Sequence, residues 1–193
     1  MNRALRFSRG RPLLFLTSLF SLTLLVPAGG AEAAPQASLG LDVGGAAEET
    51  DEGPTRGAFD LGGRADVLLG RTRGTDMAIG PYLEAATLSF HNLDVAAGAE
   101  WLIPVRDDLP LVLSGGALLR DQGGRPLSPG VEGTVFFGSR SYNFHSWYGL
   151  AAGLFAQTRF VPGPPSTIDF VFGIQINAEL LIMPGLLLWG LFK

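Results

Sequence analysis

The 193-residue chain has no cysteine. That absence excludes a disulfide, a thiol nucleophile and a thiolate-ligated metal. Lysine occurs once, as the final residue Lys193. Histidine occurs twice, at His91 and His145, which rules out a histidine-rich metal site. Charged residues make up 17% of the chain, against roughly 25% in a typical soluble domain. The formal charge is −4, and no basic patch with interleaved aromatics occurs, so nucleic acid is not an expected partner. Heptads, long helical stripes and nucleotide-binding loops are also missing. The chain is rich in glycine, with 27 residues, and its glycine clusters lie within strand patterns, so they do not read as phosphate-binding loops. No cofactor and no metal are expected.

The chain does have a basic, then apolar, start. Arg3, Arg6, Arg9 and Arg11 precede an uncharged stretch at residues 13–26, and Ala31-Glu32-Ala33 follows. Small residues at Ala31 and Ala33 suit a signal peptidase, so residues 1–33 are predicted to be an export signal cleaved after Ala33. The apolar stretch is short for a membrane-spanning helix of about 20 residues. Cleavage removes four Arg and Glu32, taking 14 bases and 18 acids to 10 and 17, a net charge of −7. A lipoprotein signal is excluded because it needs a cysteine.

The mature chain, residues 34–193, is predicted to be one β domain. Period-two alternation marks eight candidate strands, at residues 34–43, 58–69, 76–90, 93–105, 111–120, 130–139, 147–160 and 167–180. The last is the clearest: Ile168, Phe170, Phe172, Ile174 and Ile176 share one face, while Asp169, Gln175, Asn177 and Glu179 share the other. Residues 44–56, with Glu48, Glu49, Asp51 and Glu52, read as an exposed acidic loop. In the third strand Leu88 and Phe90 fall on the side of Glu84, which a bulge would explain. Residues 91–92 read as the tight connection after it. Residues 181–193 are almost wholly apolar and lack alternation. They read either as a tail on the membrane or, at 186–192, as a closing strand that leaves residues 37–43 outside the barrel.

Asp60, Arg64, Asp66, Glu84, Asp94, Glu100, Arg120, Glu132, Arg159, Asp169 and Glu179 all lie opposite the more apolar face of their own strand. A soluble sandwich would show the same parity. The export signal, strands of ten to fourteen residues, and polar faces built of Gly, Ala and Ser favour a different architecture: an eight-stranded antiparallel up-and-down transmembrane β-barrel. Closure removes the edge strands that lipid does not tolerate. The charged set is then predicted to form a lumenal network, because buried charges need partners. Phe59, Trp101, Ile168, Phe170, Phe172, Ile174 and Ile176 are predicted to face lipid.

With this signal peptide, strand count and alternation, residues 36–180 resemble the small outer-membrane β-barrel proteins of Gram-negative bacteria, OmpA-like and OmpW-like in the broad sense. The resemblance implies location in the outer membrane, short periplasmic turns, longer external loops, lipid as a partner, and the barrel-assembly machinery as a partner during biogenesis. It also suggests an interfacial girdle drawn from Phe90, Trp101, Phe136, Phe137, Tyr142, Phe144, Trp147, Tyr148, Phe160 and Trp189. The chain departs from the group at its end, where Phe192 is followed by Lys193.

No catalytic constellation is strong. His145-Ser146 brings to mind acyl transfer, and some lipid-deacylating barrels resemble this arrangement, but adjacent strand residues point to opposite faces. Glu48, Glu49, Asp51 and Glu52 lack the spacing of a calcium loop. The function expected is therefore a non-enzymatic barrel with an envelope-structural or surface-interaction role. The alternatives are a secreted soluble barrel that binds a small apolar ligand, its apolar face inward, and an outer-membrane lipid-modifying hydrolase.

Overall fold

A computed structural model of the chain describes residues 34–51, 53–106, 109–140 and 151–177. They form eight strands: β1 (Gln36–Thr50), β2 (Gly53–Leu68), β3 (Ala78–Leu88), β4 (Leu93–Arg106), β5 (Leu109–Asp121), β6 (Ser128–Gly138), β7 (Ala152–Val161) and β8 (Thr167–Asn177). Each strand pairs antiparallel with its sequence neighbours, and β1 pairs antiparallel with β8, closing the barrel. Residue partners run from Ser38 through Asp66, Tyr82, Gly98, Gly116, Glu132, Arg159 and Asp169 and return to β1 at Glu48, ten residues beyond the start. This stagger tilts the strands by about 40° to the barrel axis, and eight strands leave an interior just wide enough for side chains. We call the end with the β1–β2 hairpin the upper end. Gln36 and Asn177 lie at the lower end.

Alternation decides which side chains enter. On β3 the even-numbered residues from Ala78 to Leu88 are buried, while Ile79, Leu83 and Ala85 are exposed. Large and small residues interlock inside. A Cβ on Gly153 would lie 2.4 Å from Phe136 Cζ, one on Gly173 2.8 Å from Phe155 Cε1, and one on Gly116 2.7 Å from Tyr82 Oη. These glycines are the hollows into which neighbouring rings lie. An apolar cluster of Leu68, Ala78, Leu102, Val112, Phe136, Phe155 and Val171 fills part of the interior, and Ala96, Leu118 and Val161 form a second.

Three sequence expectations are corrected, and one alternative is decided. Residues 44–56 are not a loop: β1 and β2 run through them, joined at residues 51–52, with Gly44↔Asp60 and Glu48↔Arg56 paired. Cross-strand pairing on both sides of β1 outweighs the loop-like composition of this stretch. Residues 37–43 belong to the barrel, because β1 holds both β2 and β8. The third strand needs no bulge. It ends at Leu88, which points inward with 2% exposure, and the turn comes at Ser89 and Phe90, both at positive φ. His91 N donates to Leu88 O at 3.0 Å, so Ser89 and Phe90 are the central residues of a primed β-turn within the four-residue connection 89–92. Finally, Phe136 points inward, 2% exposed, so it does not belong to an outer girdle. The strand at residues 167–180 is described to Asn177. Residues 1–33, the His145-Ser146 pair, Tyr142, Phe144, Trp147, Tyr148, Glu179, Trp189 and the segment 181–193 lie outside the described residues.

Candidate functional site: the barrel interior

Ten of the eleven sequence-nominated charges are described, and all ten are buried inside the barrel: Asp60, Arg64, Asp66, Glu84, Asp94, Glu100, Arg120, Glu132, Arg159 and Asp169. Three arginines on β2, β5 and β7 organise them. Arg120 binds Asp94 through two parallel hydrogen bonds, Nε to Oδ1 and Nη2 to Oδ2, both 2.7 Å. Its Nη2 also donates to Asp169, and Nη1 donates to Thr167 Oγ1 at 3.2 Å. Arg159 donates from Nη1 to Asp60 at 2.8 Å and from Nη2 to Glu84 at 3.2 Å, and Nη1 lies 3.6 Å from Asp94. Arg64 joins Glu84 at 3.3 Å and Glu100 at 3.0 Å. Its guanidinium lies 3.9 Å from the Tyr82 ring centroid.

Four further groups complete the network, and none was nominated from the sequence. Arg140 follows the end of β6 and bonds Asp66 at 2.9 Å, Glu100 at 3.5 Å and Gln175 at 2.8 Å. Tyr82 Oη donates to Glu132 at 2.8 Å. Gln157 Nε2 donates to Glu84 at 2.9 Å and to Glu132 at 3.2 Å. Asp42 is buried on β1 opposite Gln175. Tyr82, Gln157 and Asp42 share the parity of their strands' polar faces, and that signal could have found them. Arg140 lies beyond any strand and carries no periodic signal.

The result is an alternating ladder: Asp169, Arg120, Asp94, Arg159, Glu84, Arg64, Glu100, Arg140, Asp66. It runs from near the upper rim to the lower mouth, and with Glu132 and Asp42 every strand contributes to the interior charge. Guanidinium suits this role because its planar fork serves two carboxylates at once and stays charged. Low-dielectric surroundings strengthen each pair and make an unpaired member costly. Arg120, Arg159, Phe136, Leu68, Leu102 and Leu118 are among the largest fully buried side chains, as a structural brace requires. No group of three or more acidic or histidine side chains poised for a metal occurs among the described residues.

The sequence-nominated apolar set lies on the opposite side of the wall. Phe59, Trp101, Phe170, Phe172 and Ile174 are exposed on the outer surface, Phe172 to 62%. Ile168 and Ile176 point outward with intermediate exposure. Of the remaining girdle residues, Phe137 and Phe160 are also exposed on the wall, and Phe90 sits at the tip of the β3–β4 turn.

The sequence matches no protein-family model and no curated protein. Solved structures similar to this chain include Ail, the attachment invasion locus protein of Yersinia pestis, at 10% identity and a TM-score of 0.42, covering 75% of this chain and 99% of that one. Neisserial surface protein A matches at 13% identity and a TM-score of 0.45, with the same coverages. A de novo designed transmembrane β-barrel matches at 10% identity and a TM-score of 0.37, covering 76% of this chain and 98% of that one. These matches are too distant to bear on activity.

Proposed function

We propose that this chain is an integral β-barrel of the outer membrane, with an envelope-structural or surface-interaction role and no catalytic activity. One observation carries the reading: the wall is inverted relative to a soluble protein. Along the described strands, the only exposed charges are Glu49, Arg56, Arg106 and Asp121, all near strand ends, and none lies on the middle of the wall. Ten strand-borne charges from the sequence-nominated set lie inside instead. A large, continuous exposed apolar surface marks a lipid or protein interface, and here it encircles the barrel. Phe59, Trp101, Ile168, Phe170, Phe172, Ile174 and Ile176 face lipid in this reading.

A soluble carrier of a small apolar ligand needs the reverse arrangement, apolar inside and charged outside. The placement of Arg120, Arg159, Phe170 and Phe172 argues against it. The braced interior also favours a scaffold over a pore. Outer-membrane lipid and the assembly machinery are the partners this reading requires. The test is cell fractionation followed by electrophoresis of the detergent-extracted protein with and without boiling. The expected result is recovery in the outer-membrane fraction and a band that shifts on boiling. Recovery in the soluble periplasm would sink the proposal.

A further inference from the structure

Arg140 is the one cation of the described interior network that no strand supplies. β6 ends at Gly138, and two residues later the chain turns this guanidinium back into the lower mouth, its side chain 2% exposed. Nη1 donates to Asp66 Oδ2 at 2.9 Å and to Glu100 Oε2 at 3.5 Å, and Nη2 donates to Gln175 Oε1 at 2.8 Å. Cζ lies 4.3 Å from the centroid of Phe136. The groups that receive it stand on β2, β4, β8 and β6. The described groups around this guanidinium therefore come from the barrel wall, and the occupant comes from just past the end of β6.

The wall also holds acceptors in excess. Asp66 Oδ1, Glu100 Oε1 and Asp42 Oδ1 are buried without a hydrogen-bond partner, on residues 3%, 1% and 5% exposed. The other cation at hand, Arg64, already serves Glu84 and Glu100 and lies on Tyr82. Without Arg140 the mouth would be an anionic recess with an aromatic ring along one side.

We propose that Asp66, Glu100, Asp42, Gln175 and Phe136 form a guanidinium-binding site that the chain fills with its own Arg140, and that a small planar guanidinium compound occupies it when the arginine side chain is removed. The shape of the recess selects the class of ligand. Acceptors on two sides match the donor fork, and the ring matches the flat face. An alkali cation has neither a face to stack nor donors to direct.

The test uses the full-length Arg140→Ala protein folded in detergent micelles, with methylguanidinium chloride as probe and sodium chloride at equal concentration as control. The urea midpoint of the variant is expected to rise saturably with methylguanidinium, and that of the wild type to stay unchanged. At ten times the dissociation constant, the folding equilibrium shifts by about elevenfold. A rise that sodium matches, a rise shared by the wild type, or no saturable rise overturns the proposal. If the variant does not fold alone, refolding yield with and without methylguanidinium serves in its place, and equal yields overturn it. Adding Asp66→Asn to the variant is expected to weaken the rescue. Rescue at unchanged methylguanidinium concentration would place the binding elsewhere and overturn the assignment.

Discussion

Replacing Arg120 with Leu tests whether the interior ladder holds the barrel together. The Arg120 side chain is 1% exposed and makes hydrogen bonds to Asp94, Asp169 and Thr167. Leucine fills part of the space but leaves two buried carboxylates facing each other. Asp94 keeps one weak partner, Arg159 Nη1 at 3.6 Å. Asp169, 0% exposed, has no second ion pair among the described residues. Removing one member of a buried ionic cluster costs about 3–5 kcal/mol, a large share of a domain stability of about 5–15 kcal/mol. Equilibrium urea unfolding in lipid vesicles, followed by tryptophan fluorescence and by the unboiled gel band, measures the loss. The physical cause is the stranded charge, so the triple variant Arg120→Met, Asp94→Leu, Asp169→Val should recover most of the stability. A loss below about 1 kcal/mol for Arg120→Leu, the scale of an exposed salt bridge, would refute the reasoning. So would a triple variant weaker than the single one.

Three other outcomes follow from named contacts. Gly153→Ala places a methyl 2.4 Å from Phe136 Cζ and 2.7 Å from Phe137 O and should cost about 1–3 kcal/mol, whereas Gly45→Ala, which meets nothing within 4 Å, should be neutral or stabilising by about 0.5 kcal/mol; the same unfolding assay separates them. Phe172→Arg puts a charge on the exposed outer wall and should lower stability in bilayers by about 2–4 kcal/mol if that position lies at mid-membrane, and an unchanged midpoint would contradict a lipid-facing wall. In the β2–β3 connection, the Thr72 hydroxyl and the Arg73 and Thr72 amides hold the Asp76 carboxyl below its ordinary value of 3.8. A lowered folded pKa gives order that is fully present above the unfolded value and lost as pH falls through the folded one. Amide exchange at Thr72 and Arg73 should therefore lose protection only in acid relative to a pH-matched intrinsic rate, and Asp76→Asn should remove that dependence.

Alternation made most of the barrel legible before any coordinates. A strand sends successive side chains to opposite faces, so the parity of Asp60, Arg64, Asp66 and of Phe170, Phe172, Ile174 assigned them to two sides of one wall. The number of strands followed from the intervals between alternating runs. Parity also contained Asp42, Tyr82 and Gln157, although only their burial and partners give them a place in the network.

Closure decided the rest. Which charges meet depends on the ten-residue stagger from Ser38 to Glu48 around the circuit, and no single strand carries that quantity. Arg159 reaches Asp60 across 99 residues of sequence, and Arg140 reaches Asp66 across 74. Pairing with β8 and β2 drew the acidic stretch into strands against its local composition. Leu88 points inward by unbroken alternation along β3, and the primed turn at Ser89 and Phe90 ends the strand without a bulge. Local periodicity sorts side chains into inside and outside; only the closed sheet, by fixing registers across all eight strands, brings particular side chains together.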